Sequence, residues 1–197
     1  MNCEIDGYRF TDMKNTLGAI YIVRDPRNVI TSIQNHFQLP PDEAFEFLSN
    51  KRNAISTIQE NKESLYFQPL GSWSDHVNSW VKSKNFPVLK VRYEDLTDST
   101  YETFKKIIQF INKITKSNNQ FNRKKAINSI KNTSFNKLKN MENTKGFDEA
   151  RINQKTGKKI KFFYLGSKND YTNILDAKLV NKINSSFKND LESNDYF

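Results

Sequence analysis

Two short apolar runs in this 197-residue chain are each followed by a helical period, and that alternation organises the sequence. Residues 19–23 (AIYIV) and 88–91 (VLKV) are short and rich in β-branched side chains, which predicts buried strands. After the first, Asp25 is a good N-cap, and Pro26 stands at the first helical position, where its missing N–H costs nothing. Val29, Ile30, Ile33 and Phe37 then recur at helical spacing and predict a buried face. After the second, Ser99 and Glu102 have capping-box spacing, and Tyr101, Phe104, Ile107, Ile108, Ile111 and Ile114 form a broad apolar stripe. Strands alternating with helices predict an α/β fold with helices packed on a parallel sheet.

Further helices are predicted over residues 41–48, 123–131 and 134–141. Another covers 72–82, with Trp73, Val77 and Trp80 on one face, and a last one covers 176–191, with Leu179, Val180, Ile183 and Phe187 on its stripe. A polar stretch of Lys and Asn separates the second and third of these helical patterns along the chain, and no internal repeat is present. Residues 142–161 (ENTKGFDEARINQKTGKKIK) carry no apolar period and read as a mobile basic loop. Only two strands are convincing, whereas sheets of this class usually have about four or more. Either a strand is hidden in IKFFYL at 160–165, or part of the sheet is missing from this chain.

Length and composition predict a single domain over residues 1–197. Fifteen Phe, eight Tyr and two Trp offset a hydrophobic fraction of 36% and argue against wholesale disorder. Thirty-one Lys plus Arg against 22 Asp plus Glu leave +9, which suits nucleic acid, a membrane surface or a phosphorylated or sulfated small molecule, and equally a solvated lysine-rich surface. The single cysteine, Cys3, excludes an internal disulfide framework and fits a reducing compartment; one Cys and two His make a zinc site a poor expectation. No run approaches the roughly 20 apolar residues of a membrane span, and MNCEIDGYRF lacks the basic and apolar regions of a signal peptide, so a soluble cytoplasmic protein is expected.

The candidate chemistry sits where strands end. Ligands of open parallel sheets collect beyond the carboxyl ends of the strands, and Arg24 ends the first one. A helix N-terminus beside an arginine fork suits phosphate, with Ser32 two turns into the helix; alternatively Arg24 pairs with a neighbouring carboxylate. Tyr93 places an amphipathic ring at the end of the second strand, while the adjacent Glu94 and Asp95 read best as ion-pair partners or caps.

Five stretches occur in order: YIVRDPRNVITS, GSWSDHVNSW (71–80), VLKVRYEDL (88–96), NTSFNKLKN (132–140) and FFYLGSKNDY (162–171). Together they resemble the sulfotransferases that use 3′-phosphoadenosine 5′-phosphosulfate, in the cytosolic-type branch and its bacterial relatives. The resemblance covers nearly the whole chain and implies a parallel sheet of the P-loop nucleotide-binding type, incomplete here at the N-terminus. It implies that Arg24 and Ser32 hold the 3′-phosphate of the cofactor, that Tyr93 contacts the adenine, and that Thr133, Ser134 and Phe135 surround the nucleotide with Phe135 beside the base. It also implies that Phe162, Phe163, Tyr164 and Gly166 belong to a late loop closing over the 3′-phosphate, and that His76 lines the acceptor pocket near Trp73 and Trp80.

Two departures from the family pattern carry expectations. Tyr164 stands where the late loop usually has arginine, and Asn169-Asp170-Tyr171 follow where Gly-Asp-Trp or Gly-Gln-Trp is usual. Lys168 is the nearest replacement cation, and backbone N–H groups around Gly166 are a second means of compensation; if they do not compensate, affinity falls by the worth of a charge-assisted hydrogen bond, about 1.5–3 kcal/mol. The chain also contains no Pro-Lys-Ser/Ala-Gly-Thr/Ser loop, whose lysine stabilises the bridging oxygen, and no Lys-Thr-His segment, whose histidine removes the acceptor proton. Neither His36 nor His76 is placed to substitute as base, so no catalytic residue is assigned.

The resemblance therefore implies the 3′-phosphate side of an enzyme that moves a sulfuryl group to a hydroxyl or amine of a small-molecule acceptor. The product is adenosine 3′,5′-bisphosphate, and no metal, nucleic acid or membrane takes part. A missing N-terminal fragment or a second copy is the expected partner. The alternative is a non-catalytic nucleotide-binding module; a basic nucleic-acid binder is disfavoured because the aromatics fall on apolar stripes.

Overall fold

A computed structural model describes residues 4–5, 8–9, 14–58 and 65–197 of the chain. A two-residue antiparallel ladder joins β1 (Glu4–Ile5) to β2 (Tyr8–Arg9), and then β3 (Ala19–Val23) begins the part of the fold that carries the site. Cys3, and much of the segment before β3, lie outside the described residues.

The first turn after β3 forms as the sequence predicts. Asp25 caps α1 (Pro26–Phe37) by accepting the Arg27 N–H, with Pro26 in the first turn. Gln38 ends the helix in the left-handed region, and Pro41 opens α2 (Pro41–Ser49). The polar stretch that follows is not irregular throughout: β4 (Ala54–Ile58) and β5 (Leu65–Pro69) pair antiparallel. α3 (Trp73–Val81) starts with a complete capping box between Ser72 and Asp75. β6 (Val88–Arg92) then lies parallel to β3, with Ala19 opposite Val88 and Val23 opposite Arg92.

Beyond β6 the chain is helical: α4 (Tyr93–Asp98), α5 (Thr100–Thr115), α6 (Arg123–Asn132) and α7 (Phe135–Lys145). A 3₁₀ turn at Gly166–Lys168 precedes α8 (Tyr171–Ile174), α9 (Ala177–Ser186) and α10 (Lys188–Ser193). Helices packed on a parallel strand pair make this an α/β fold. The core lies on one face of that pair, where Val23 meets Ile30 and Ile33 of α1, Phe45 and Leu48 of α2, Trp73 and Val77 of α3, and Leu179, Ile183 and Leu191 of α9 and α10.

Several local expectations change. The strand 19–23 is buried on one face only: Val23 is 2% exposed, whereas Ile20 and Ile22, which alternate to the other face, are 38% and 52% exposed. The Ser99 side chain makes no capping bond to α5; α4 ends immediately before it, with the Ser99 N–H donating to the Asp95 carbonyl and the Thr103 N–H to the Ser99 carbonyl. Residues 160–165 form no strand. The helix expected over 176–191 breaks at Phe187, whose ring is buried against Trp73 at 5.5 Å. The segment 142–161 opens with the last turn of α7, and an antiparallel bridge from Ile152 to Lys159 closes its far end.

Arg27 ties these parts together. The residue is 5% exposed; its guanidinium forks onto Asp25 and donates to the Tyr196 carbonyl at 2.6 Å and to Asn184 Oδ1 at 3.2 Å. Its far side lies over the Tyr171 ring at 4.4 Å. Capping α1, docking α9 and seating the C-terminal residues thus depend on one side chain.

Candidate functional site

β3 and β6 end side by side, so Arg24 and Tyr93 emerge together at the carboxyl edge of the sheet. The Arg24 guanidinium lies 4.2 Å above the Tyr93 ring, and its carbonyl accepts the Trp73 indole N–H at 3.2 Å. Its Nε is buried without a hydrogen-bond partner, and no carboxylate lies within ion-pair distance among the described residues. The nearby carboxylates are engaged elsewhere. Asp25 is held by Arg27, and Glu94 accepts the Asp25 N–H at 3.3 Å and the Tyr196 hydroxyl at 3.1 Å.

The N-terminus of α1 is not the open anion site that the sequence suggested. The Asp25 side chain takes the Arg27 N–H, the Asp25 carbonyl takes those of Asn28 and Val29, and Pro26 has none. An anion here meets side chains, not an uncapped helix. Ser32 supplies one: its hydroxyl is exposed and reaches only the Asn28 carbonyl, at 3.5 Å.

All ten residues expected on the nucleotide side, Arg24, Ser32, Tyr93, Thr133, Ser134, Phe135, Phe162, Phe163, Tyr164 and Gly166, line one cavity of about 920 Å³. That size falls within the range of about 300–1,000 Å³ usual for small-molecule sites. Its walls come from α1, α4, the α6–α7 junction and the segment 162–169. Lys168 is exposed and outside the lining, between Ser167 and Asn169, which belong to it.

The late segment is held at many points. The Asn35 amide donates to the Lys161 carbonyl at 3.0 Å, and Lys139 Nζ donates to the Tyr164 carbonyl at 3.1 Å. Glu142, 6% exposed, accepts the N–H groups of Phe162 and Phe163 at 2.7 and 3.1 Å. Phe147, Phe162, Phe163 and Phe135 form a chain of ring contacts alongside. Gly166 has φ +59°, and a Cβ there would stand 2.6 Å from the Phe135 ring, so glycine is required on both counts. Downstream, Asn169 joins α1 through the Thr31 hydroxyl at 2.6 Å and the Asn28 carbonyl at 3.0 Å, and the Tyr171 N–H donates to Asn28 Oδ1.

His76 does not line this cavity. Its Nδ1 lies 2.8 Å from the Tyr21 hydroxyl, and the Trp80 ring stacks on Tyr21 at 6.3 Å between centroids. Burial lowers the His76 pKa and raises that of the Tyr21 phenol. His36 does line the cavity, edge-on to Phe37 and Phe162, and burial followed by the Arg151 charge lowers its pKa. Among the described residues no three His, Cys, Asp or Glu side chains gather as a metal site, and no helix is long and apolar enough to cross a membrane.

Sequence reasoning missed Glu142, Asn28, Lys139 and Asn169. The spacing of Lys139 and Glu142 puts them on one helix face, but nothing local marks what that face meets.

A sequence model of the sulfotransferase domain family matches residues 11–195. Sulfotransferase 1E1 of Rattus norvegicus is 31% identical over 93 residues, which is 47% of this chain and 29% of that protein. The 3-alpha-hydroxysteroid sulfotransferase of Cavia porcellus is 32% identical over 100 residues, 48% of this chain and 31% of that protein. The crystal structure of mouse sulfotransferase SULT7A1 complexed with PAP is similar in fold, with a TM-score of 0.55 at 21% identity over 90% of this chain and 59% of that one. The chain spans about a third of the length of these curated relatives.

Proposed function

This chain belongs to the sulfotransferase domain family, and on that premise we propose that its cavity binds the adenosine 3′,5′-bisphosphate part of 3′-phosphoadenosine 5′-phosphosulfate. The observation that carries the reading is Arg24: a cation at the cavity wall with a buried, unpartnered Nε and every neighbouring carboxylate engaged elsewhere. Such a fork matches phosphate geometry and is always charged. The glycine at 166, where a side chain would strike Phe135, lets the late segment pack directly against a residue of the cavity wall.

Arg24 and Ser32 hold the 3′-phosphate. Tyr93 and Phe135 contact the adenine, Thr133 and Ser134 flank the nucleotide, and residues 162–166 close over the phosphate. When bound, the cosubstrate supplies the sulfuryl group that the complete enzyme delivers to a hydroxyl or amine of a small-molecule acceptor in the cytoplasm. Catalysis in such a transfer comes mainly from positioning and charge stabilisation.

His76 lies on the acceptor side. Its Nδ1 is hydrogen-bonded to the Tyr21 hydroxyl at 2.8 Å, which leaves Nε2 as the ring nitrogen available to an acceptor oxygen. The sequence has neither the Pro-Lys-Ser/Ala-Gly-Thr/Ser loop nor a Lys-Thr-His segment, which favours a second reading: these 197 residues alone bind nucleotide without turning it over.

Calorimetric titration with adenosine 3′,5′-bisphosphate tests the first reading. Saturable binding that weakens about tenfold or more in Arg24→Ala supports it, and no binding by the intact chain removes it. A radiolabelled-sulfate transfer assay separates the two, because substantial turnover by this chain sinks the second.

A further inference from the structure

Helix α7 meets the cavity through Phe135, Asn136 and Leu138 and steadies it through its later turns. Phe135 forms part of the wall, while Lys139, Glu142 and Asn143, spaced i, i+3 and i+4 on one helix face, hold residues 161–164. Glu142 is the buried member of the three. Unlike Asp25, it has no cation within ion-pair distance among the described residues, and both of its oxygens are used on backbone N–H groups, Oε1 for Phe162 and Oε2 for Phe163. Charge-assisted bonds of this kind are short and directional, so they set where the segment begins its path along the cavity. Four residues later that path reaches Gly166, which packs against Phe135 of the same helix.

We propose that Glu142 is a positioning residue for the nucleotide site, fixing residues 162–166 relative to Phe135 and thereby setting the preference for a 3′-phosphorylated adenosine. The inference rests on the reading in which that segment closes over the 3′-phosphate. Glu142 itself does not line the cavity and touches no ligand; its effect passes through the backbone of Phe162 and Phe163.

The test compares adenosine 3′,5′-bisphosphate with adenosine 5′-monophosphate, titrated calorimetrically into the intact chain and into Glu142→Ala and Glu142→Gln. Glu142→Ala removes both acceptors and is expected to weaken the bisphosphate at least tenfold while changing the monophosphate less than twofold. Glu142→Gln keeps one carbonyl oxygen and nearly the same volume, so it should fold where the alanine variant fails and show an intermediate loss of preference. An unchanged ratio of the two affinities in either folded variant overturns the proposal, as does an equal loss for both nucleotides, which marks general loosening. If the unmodified chain binds neither nucleotide, the functional reading fails first and removes the basis for this one.

Discussion

Replacing Gly166 by alanine tests the closest contact in the site. The added Cβ would lie 2.6, 2.7 and 2.8 Å from three carbons of the Phe135 ring, distances that real Cβ atoms do not keep, at a residue with φ +59°. Two costs add: the left-handed conformation is worth about 1 kcal/mol against a residue with a Cβ, and forcing a methyl into a packed contact about 1–3 kcal/mol. Phe135 is only half-buried, so its ring can give way in part, and a total of about 2–4 kcal/mol is expected. For a chain of this length that corresponds to a melting temperature lower by about 5–15 °C. If residues 162–166 open locally instead, the global loss is capped at the opening free energy, and the remainder appears as weakened nucleotide binding. A double-mutant cycle isolates the steric part. In a Phe135→Ala background the clash is gone, and Gly166→Ala should cost only the backbone contribution of about 1 kcal/mol. Thermal melts and titrations of the four proteins measure both quantities. Additive effects, or a Gly166→Ala protein unchanged in both melting and binding, would refute the contact as the reason for glycine here.

Arg24→Ala should lower affinity for adenosine 3′,5′-bisphosphate by about 10- to 150-fold, the worth of one charge-assisted hydrogen bond; it should leave the melting temperature nearly unchanged, because Arg24 has no ion-pair partner to strand. Arg27→Ala should do the reverse. It leaves Asp25 buried and unpaired, so urea denaturation should report a loss of about 3–5 kcal/mol. The two half-buried histidines make stability acid-sensitive. Burial lowers His36 and His76 from the ordinary value of 6.5, so the unfolded chain binds more protons; their contribution is complete above about pH 6.5 and is lost progressively as pH falls below it. Melts at pH 7 and pH 5 should show a smaller acid shift in His76→Gln, and an equal shift would remove His76 as a cause.

The β3–α1 unit was legible because its signals are local: a β-branched run, an Asp cap and a following proline lie within a few residues. The five ordered motifs placed ten side chains that the fold brings to one cavity. What stayed hidden depends on distance along the chain. Arg27 has no local partner pattern beyond Asp25, and its role is set by Tyr196, Asn184 and Tyr171. The open N-terminus expected of α1 failed for a local reason that the sequence did contain, since an Asp at the cap consumes the donors an anion would need. The break at Phe187 reflects packing of one ring against Trp73, a tertiary gain that outweighs the apolar stripe's helical period.

The bonds that tie the site together join early residues to late ones: Asn35 to Lys161 and Thr31 to Asn169 at the cavity, and Arg27 to Tyr196 behind it, are 126, 138 and 169 positions apart. A ribosome adding about 5–20 residues per second needs roughly 8–34 s to travel from Arg27 to Tyr196. Through that interval Asp25 and Arg27 have each other but not their Tyr196 anchor, and until residues 162–169 emerge the cavity has no closing wall. The nucleotide site is therefore completed only once residues 162–169 have been synthesised, and ligand cannot help the earlier residues fold before then.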